Sequence, residues 1–343
     1  MSDAFFNKIA AGGRPANLGR LAMSEVTLRE IRSLLSERTV RGENFPATKP
    51  LISHYCSTST LESILKYRQI WFSNPLLMND LEELRFGMLT GRERFRSNEQ
   101  LKVALGSQSR YNDFKNLLEN LFDGFAKEGA FDVYIACFAQ HRRNDDDGLL
   151  SMWRGYGANG NGACIVFDTS ELNEVDESPL IIGKVEYASR NERIEWIDGI
   201  IATFAEILQA HSVPDEELRF ASWILFERLL IFTLYTKHSG FHEEQEWRIV
   251  YMQHRDQEGL LAKMLDYHIG PRGAEPKLKF DIAPLKGVAD EAVLIDKIVH
   301  KIILGPTSAA DIHRLSVARM LERIGRGALV PKLLSSTIPY RAA

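Results

Sequence analysis

Leu51-Ile52-Ser53-His54-Tyr55-Cys56-Ser57-Thr58-Ser59-Thr60-Leu61-Glu62-Ser63-Ile64-Leu65, followed after four residues by Ile70-Trp71-Phe72-Ser73-Asn74-Pro75, is the stretch on which the fold reading turns. Leu51 to Tyr55 reads as a short strand. The hydroxyl run Ser57 to Thr60 offers helix caps, and Leu61, Ile64 and Leu65 line one face of the helix that follows. Ile70 to Ser73 is extended again and is stopped by Asn74-Pro75. Trp71 and Phe72 then point to opposite faces of their strand, so one of them reaches a pocket and the other does not.

Working outward, the same alternation of short strands and longer helices continues without regular βαβ spacing. Ser24 to Glu37 reads as a helix, and Arg41 to Pro50 as a linker. Asn79-Asp80-x-Glu82 opens another helix with acids where its dipole favours them. Residues 90–128 read as polar amphipathic helix, Val133 to Phe138 as a strand, Leu149 to Tyr156 as a short aromatic helix and Ala163 to Phe167 as a strand. Residues 191–236 give two helices, Trp247 to Met252 and Ile298 to Leu304 two strands, and Ser308 to Arg323 a last helix. The pattern is α+β rather than a doubly wound sheet. It suggests an N-terminal extension over 1–49 and one α+β domain over 50–343, with helical insertions at about 83–130 and 191–236.

Composition narrows the classes of partner. The chain has 343 residues, 45% apolar and 26% charged, and a formal charge of −4, so it carries no global basic footprint for nucleic acid. Three scattered cysteines, Cys56, Cys137 and Cys164, have no metal-type spacing and read as small buried hydrophobes. With no signal-peptide pattern, they place the chain in a reducing, cytoplasmic compartment. The most apolar run, Trp223 to Tyr235, is interrupted by Glu227 and Arg228 and is too short to span a bilayer, so no membrane is expected.

Four constellations could carry chemistry. His54-Tyr55-Cys56-Ser57 puts an imidazole at the mouth of a strand. Trp71 to Pro75 with Asn79 and Asp80 offers polar groups and an aromatic ring, although turn and cap chemistry would explain the Asn and Asp equally well. Met152-Trp153-x-x-Tyr156 presents aromatics before a run with Gly155, Gly157, Gly160 and Gly162, where a backbone can approach a sugar or phosphate closely. In His242-Glu243-Glu244-Gln245-Glu246-Trp247-Arg248, a strand starting near Glu244 would set Glu244, Glu246 and Arg248 on one face. A solvated strand edge with a salt bridge is the plainer alternative there.

Taken in order, His54-Tyr55, Trp71 to Pro75, Asn79-Asp80, Met152-Trp153, Tyr156, Glu244-x-Glu246-x-Arg248, Gly305-Pro306 and Ser336 to Arg341 resemble the bacterial domain-of-unknown-function 2971 family over roughly residues 50–341. Leu81 stands where that family usually has Pro. The opening motif and the late Glu also resemble the ADP-ribosyltransferase fold, most closely its DNA-modifying toxin branch. That resemblance implies an ADP-ribosyltransferase-like core of mixed small sheets and NAD as substrate. It makes Glu246 catalytic, preceded by Glu244, with His54 on the ribose and Tyr156 or Trp71 on the nicotinamide. Tyr55, Ser57, Ser73, Asn79, Trp153 and Arg248 would complete the cofactor site. The acceptor is open between protein, nucleic acid and water, and so is the choice between a homo-oligomer and a partner protein. The setting it suggests is a toxin or phage-defence effector.

Two rival readings stand beside it. One is a non-catalytic nucleotide-sensing or partner-binding module. The other is a metal-dependent nuclease built on Asp80, Glu82, Glu244 and Glu246, against which stands the lack of an obvious Lys in a Glu-x-Lys strand. No metal site is otherwise expected.

Overall fold

The apolar stripes read above become helices and strands close to where they were expected, and they sort into two bodies. The computed structural model describes residues 18–40, 43–78, 81–175, 178–211, 213–270, 273–307 and 310–340. Along the chain, α1 (Leu18–Thr39) is followed by β1 (Leu51–Cys56), α2 (Thr58–Tyr67), β2 (Gln69–Ser73), α3 (Leu81–Arg96), α4 (Glu99–Leu105) and α5 (Gln108–Lys127). Next come β3 (Val133–His141), α6 (Leu150–Gly155), β4 (Ala163–Asp168), β5 (Leu180–Lys184), β6 (Glu186–Ala188), α7 (Arg190–Ala210) and α8 (Leu218–Leu234). The rest is β7 (Thr236–His238), β8 (Glu246–Met252), β9 (Leu265–Gly270), β10 (Gly273–Asp281), α9 (Ile295–Ile298), β11 (Val299–Leu304), α10 (Ala310–Arg323) and β12 (Leu333–Ser335).

Unit 1 comprises residues 1–42, 75–133 and 186–239. It joins α1 to both helical insertions, so the expected division into a 1–49 extension and one 50–343 domain does not hold. The reason is that each of these helices has an apolar stripe needing a partner. Tyr111, Phe114, Leu118, Leu121, Phe122 and Phe125 are all buried along α5. Phe122 stacks on Phe95 of α3 and meets Phe226 of α8 edge-on, while Phe114 touches Phe204 of α7. α8 is buried on nearly every side. Its two interrupting charges are matched from α1: Glu227 accepts from Arg32 at 2.5 Å, and Arg228 donates to the hydroxyl and carbonyl of Thr39, each at 2.7 Å. Buried charges need such partners. Among the described residues, no helix is long and apolar enough to cross a membrane.

Unit 2 comprises residues 43–74, 134–185 and 240–343. Its ten-stranded sheet runs β12-β11-β4-β1-β3-β2-β10-β9, with β8 pairing to β3 and to β5. β11 and β12 pair in parallel, whereas β1 runs antiparallel to both β3 and β4. Helix α2 is capped by Ser57, whose hydroxyl accepts from Thr60 N, and ends at Arg68 in a left-handed conformation. The first face of the sheet carries the large core: Ile52, Phe72, Phe138, Ile165, Trp247, Tyr251, Leu278 and Phe280 pack there with Leu61, Ile64 and Leu65 of α2 and Val317 and Leu321 of α10. The second face carries a smaller cluster of Leu51, Tyr55, Ala139, Cys164, Val166 and Ile303 around Met152 and Trp153 of α6. The class is α+β with mixed pairing, as expected from the spacing.

Candidate functional site

Side chains alternate across a strand, so membership of the first-face core fixes what lies on the second. Phe72, Trp247, Tyr251, Leu278 and Phe280 belong to the first face. Trp71 and Ser73 of β2, Glu246 and Arg248 of β8, and Glu275, Lys277 and Lys279 of β10 therefore share the second. Phe72 is fully buried and Trp71 is 41% exposed, which settles their division as the alternation predicted.

The second face has two halves. Over β11, β4 and β1 it is closed by α6 and by the segment after β12. Trp153 is fully buried, donates from Nε1 to Asp147 O at 2.8 Å and meets Tyr55 edge-on at 4.9 Å. Tyr55 Oη accepts from Leu149 N at 2.9 Å, and burial pushes its hydroxyl pKa far up. Gly162 and Gly305 sit where a Cβ would come within 2.1 Å of Cys56 O and 2.3 Å of Gly160 O. Three successive aspartates fold the preceding loop: Asp145 Oδ1 accepts from the amides of Asp147 and Gly148, and Lys301 Nζ donates to Arg143 O, Asp145 O and Asp146 Oδ1. Asp147 holds the far end of the chain, accepting from Thr337 N, Thr337 Oγ1 and Ser336 Oγ. The Thr337 amide foremost keeps its carboxyl below the usual range. Tyr340 then lies under the Arg154 guanidinium at 5.2 Å. Tyr55, Ser57 and Trp153, expected to bind a cofactor, are thus engaged in packing, capping and loop closure.

Over β3, β8, β2 and β10 the second face is polar. Arg248 is 2% exposed at its side chain and bonds both oxygens of Glu246, Nε to Oε1 at 2.8 Å and a terminal nitrogen to Oε2 at 3.0 Å. On β10, buried Lys277 lies 3.1 Å from Glu275 Oε2 and donates to Ser73 Oγ at 2.8 Å. Lys279 stands 4.7 Å over the Trp71 ring, whose centroid is 5.5 Å from that of the His268 ring. Ser73 and Cys137 are half-buried in this half. Two ion pairs on one sheet face are costly to keep dry and are weak evidence for stability. They mark this half as the candidate site.

Glu244 does not share the strand with Glu246. It closes a 3-10 turn over Ser239–Glu244, Gln245 adopts φ 43°, and β8 starts at Glu246. The expected alternation therefore holds for Glu246 and Arg248 only. Glu244 is tied elsewhere: Tyr156 Oη donates to its Oε1 at 3.0 Å. Gln245 O accepts from Gln140 N, which brings this turn to the end of β3. The helix aromatic and the acidic pair do meet, through Glu244.

His54 lies on the other face. Its ring is 5.8 Å from Phe138, a first-face residue, and its Nδ1 donates to Cys137 O at 3.2 Å. β1 pairs with β3 only from Leu51–His141 to Ser53–Ala139, and β2 meets β3 at Ser73–Ile135. The Cys137 carbonyl falls between these pairings, and the imidazole satisfies it. Burial lowers the His54 pKa, so the ring is neutral. The expected convergence of His54 with Glu246 does not occur, because one side chain leaves each face. Asn79, with Asp80, lies outside the described residues.

Glu275, Lys277, Lys279, His268 and Cys137 were not singled out from sequence. The period-two run Glu275-Pro276-Lys277-Leu278-Lys279-Phe280 is the signal in the sequence, and it supplies a Glu-x-Lys strand. Among the described residues, no group of three or more His, Cys, Asp or Glu could hold a metal ion. No curated protein and no solved structure matches the chain. A family model does match, over residues 152–249, a narrower span than the 50–341 expected but one that holds Met152, Trp153, Tyr156, Glu244, Glu246 and Arg248. Residues 152–249 are thus similar to the family described as a protein of unknown function (DUF2971).

Proposed function

We propose that unit 2 acts on NAD at the polar half of its second face, as an ADP-ribosyltransferase-like protein or NAD glycohydrolase. Glu246 is the catalytic carboxylate in this reading, and Tyr156 is the ring at the nicotinamide end. The observation that supports it is the Tyr156–Glu244 hydrogen bond at 3.0 Å, which brings the aromatic helix to the acidic pair two residues before Glu246. His54 has no part in it, since its ring belongs to the first face.

The chemistry needs no redox partner. The bond between ribose C1′ and nicotinamide breaks, and its electron pair leaves with nicotinamide. Positive charge builds on the sugar as in other glycosyl transfers. A fixed carboxylate stabilises that charge, and the two bonds from Arg248 hold Glu246 in one rotamer. Water or a macromolecular nucleophile then bonds to C1′ and gives up its proton. Three free cysteines suit a reducing cytoplasm. The resemblance to the DNA-modifying toxin branch makes protein and nucleic acid the acceptors to test first, in a toxin or phage-defence setting.

The test is nicotinamide release from NAD by the full chain, with and without nucleic acid. Glu246→Gln is expected to lower release at least about 10²-fold, and His54→Ala to leave it within a few-fold. Equal release by Glu246→Gln ends the proposal. NAD binding by the unmodified chain without release assigns it instead to nucleotide sensing.

A second reading rests on the Glu275-Pro276-Lys277 pair beside Ser73. Carboxylates and a lysine on one sheet face suit divalent-dependent phosphodiester cleavage. Cleavage of DNA or RNA that needs added Mg²⁺ and is lost in Lys277→Met selects this reading.

A further inference from the structure

Helix α6 has six residues, too few to persist in water on its own hydrogen bonds. What fixes it comes from outside. On its sheet side Trp153 is fully buried and Tyr55 Oη accepts from Leu149 N at 2.9 Å. The segment after β12 then grips both of its flanks. Before the helix, one carboxylate oxygen of Asp147 accepts from Thr337 N, from Thr337 Oγ1 at 3.0 Å and from Ser336 Oγ at 3.3 Å. The Asp147 carbonyl accepts from Trp153 Nε1 at 2.8 Å, so one residue ties that segment to the helix's anchor. After the helix, Tyr340 Oη donates to Asn159 Oδ1, and its ring lies so near Gly160 that a Cβ there would come within 3.0 Å of it. Arg154, on the helix itself, stands over the same ring at 5.2 Å.

Tyr156 lies between these two grips. It is 44% exposed, so burial does not place its ring, yet its hydroxyl meets Glu244 Oε1 at 3.0 Å. All of these residues belong to unit 2. We propose that Asp147 is a positioning residue and residues 336–340 a strap, which together hold Tyr156 against Glu244 and so fix the aromatic end of the NAD site. The place of Tyr156 in that site rests on the proposed function, whereas the hold on Glu244 does not. Asp147 acts through α6 and not on NAD itself.

The experiment is amide exchange on the full chain in a cycle of Asp147→Ala and Tyr156→Phe. Asp147→Ala is expected to speed exchange about tenfold across residues 149–157 and at least about threefold in the turn 239–245. Tyr156→Phe cuts the bond to Glu244. In that background Asp147→Ala still loosens 149–157 but adds nothing at 239–245. Asp147→Asn keeps the accepting oxygen and is expected to restore most of the protection in both segments. Tyr340→Ala frees the far grip and is expected to reproduce the pattern, which covers an Asp147→Ala chain that fails to fold. A turn 239–245 indifferent to Asp147→Ala and Tyr340→Ala overturns the proposal, as does an effect there of equal size with and without the Tyr156 hydroxyl. Where the unmodified chain releases nicotinamide, Asp147→Ala is expected to raise KM for NAD at least about threefold, and to leave it unchanged in a Tyr156→Ala background. A KM that Asp147→Ala does not move, or raises equally in both backgrounds, refutes the link to the NAD site. A chain that releases none ends the proposed function, and the exchange cycle alone then decides the strap.

Discussion

Glu246→Ala removes a carboxylate whose two oxygens are both held by Arg248, at 2.8 and 3.0 Å, and leaves a guanidinium that is 2% exposed. Breaking one partner of a buried pair costs about 3–5 kcal/mol, because the other charge stays desolvated. For a unit of ordinary domain size, ~1 kcal/mol lowers Tm by about 2–4 °C, so a fall of about 6–20 °C is expected. Glu246→Leu with Arg248→Met replaces the pair by apolar side chains of similar length. That double variant is expected within about 2 kcal/mol of the unmodified chain, since the desolvation penalty goes with the charges. Two units can melt separately, so the assay is native-state hydrogen exchange on the amides of β8, which reports unit 2 alone. A loss under ~1 kcal/mol in Glu246→Ala would show that the carboxylate is not confined with Arg248. A double variant as unstable as the single one would show that the pair serves the fold, which removes the argument for its chemistry.

Three other outcomes follow from the geometry. Gly162→Ala brings a Cβ within 2.1 Å of Cys56 O, so it is expected to cost about 3 kcal/mol in a thermal melt, while Gly155→Ala, with nothing within 4 Å, stays within ~0.5 kcal/mol. Lys301→Met keeps the stem but strips donors from Arg143 O, Asp145 O and Asp146, and faster amide exchange across residues 142–147 is the expected readout, with a loss of about 2–3 kcal/mol. His54 has a lowered pKa in the fold, so the unfolded chain takes up its proton first; stability is expected to fall as pH drops below 6.5 toward the folded value, and His54→Gln flattens that slope in denaturant titrations at pH 5 to 7.

Much of the fold could be read locally. The caps at Ser57, the stripe Leu61-Ile64-Leu65 and the stop at Asn74-Pro75 are short-range signals, and β1, α2 and β2 lie where those signals put them. The alternation that separated Trp71 from Phe72 held for the same reason. What failed depended on contacts distant in sequence. The left-handed Gln245 withdrew Glu244 from β8, and no periodicity announces a single positive φ. The side of the sheet taken by His54 follows from which neighbours make the core, which a single strand does not encode. The union of α1 with both insertions in unit 1 rests on matches such as Arg32 with Glu227, 195 residues apart. Of the motif residues that carried the family resemblance, Tyr55, Met152, Trp153 and Ile338 proved to form a packing cluster. The polar half of the second face was only partly visible, because the β9–β10 hairpin was not read as strands.

The hold of Asp147 on Thr337 has a kinetic consequence. The two residues are 190 positions apart, and strands β4 to β12 with the two long helices α7 and α8 lie between them. Loop closure over such a span is entropically expensive and comes late. The roof of Trp153 and the segment after β12 is therefore expected to become protease-resistant later than the sheet beneath it.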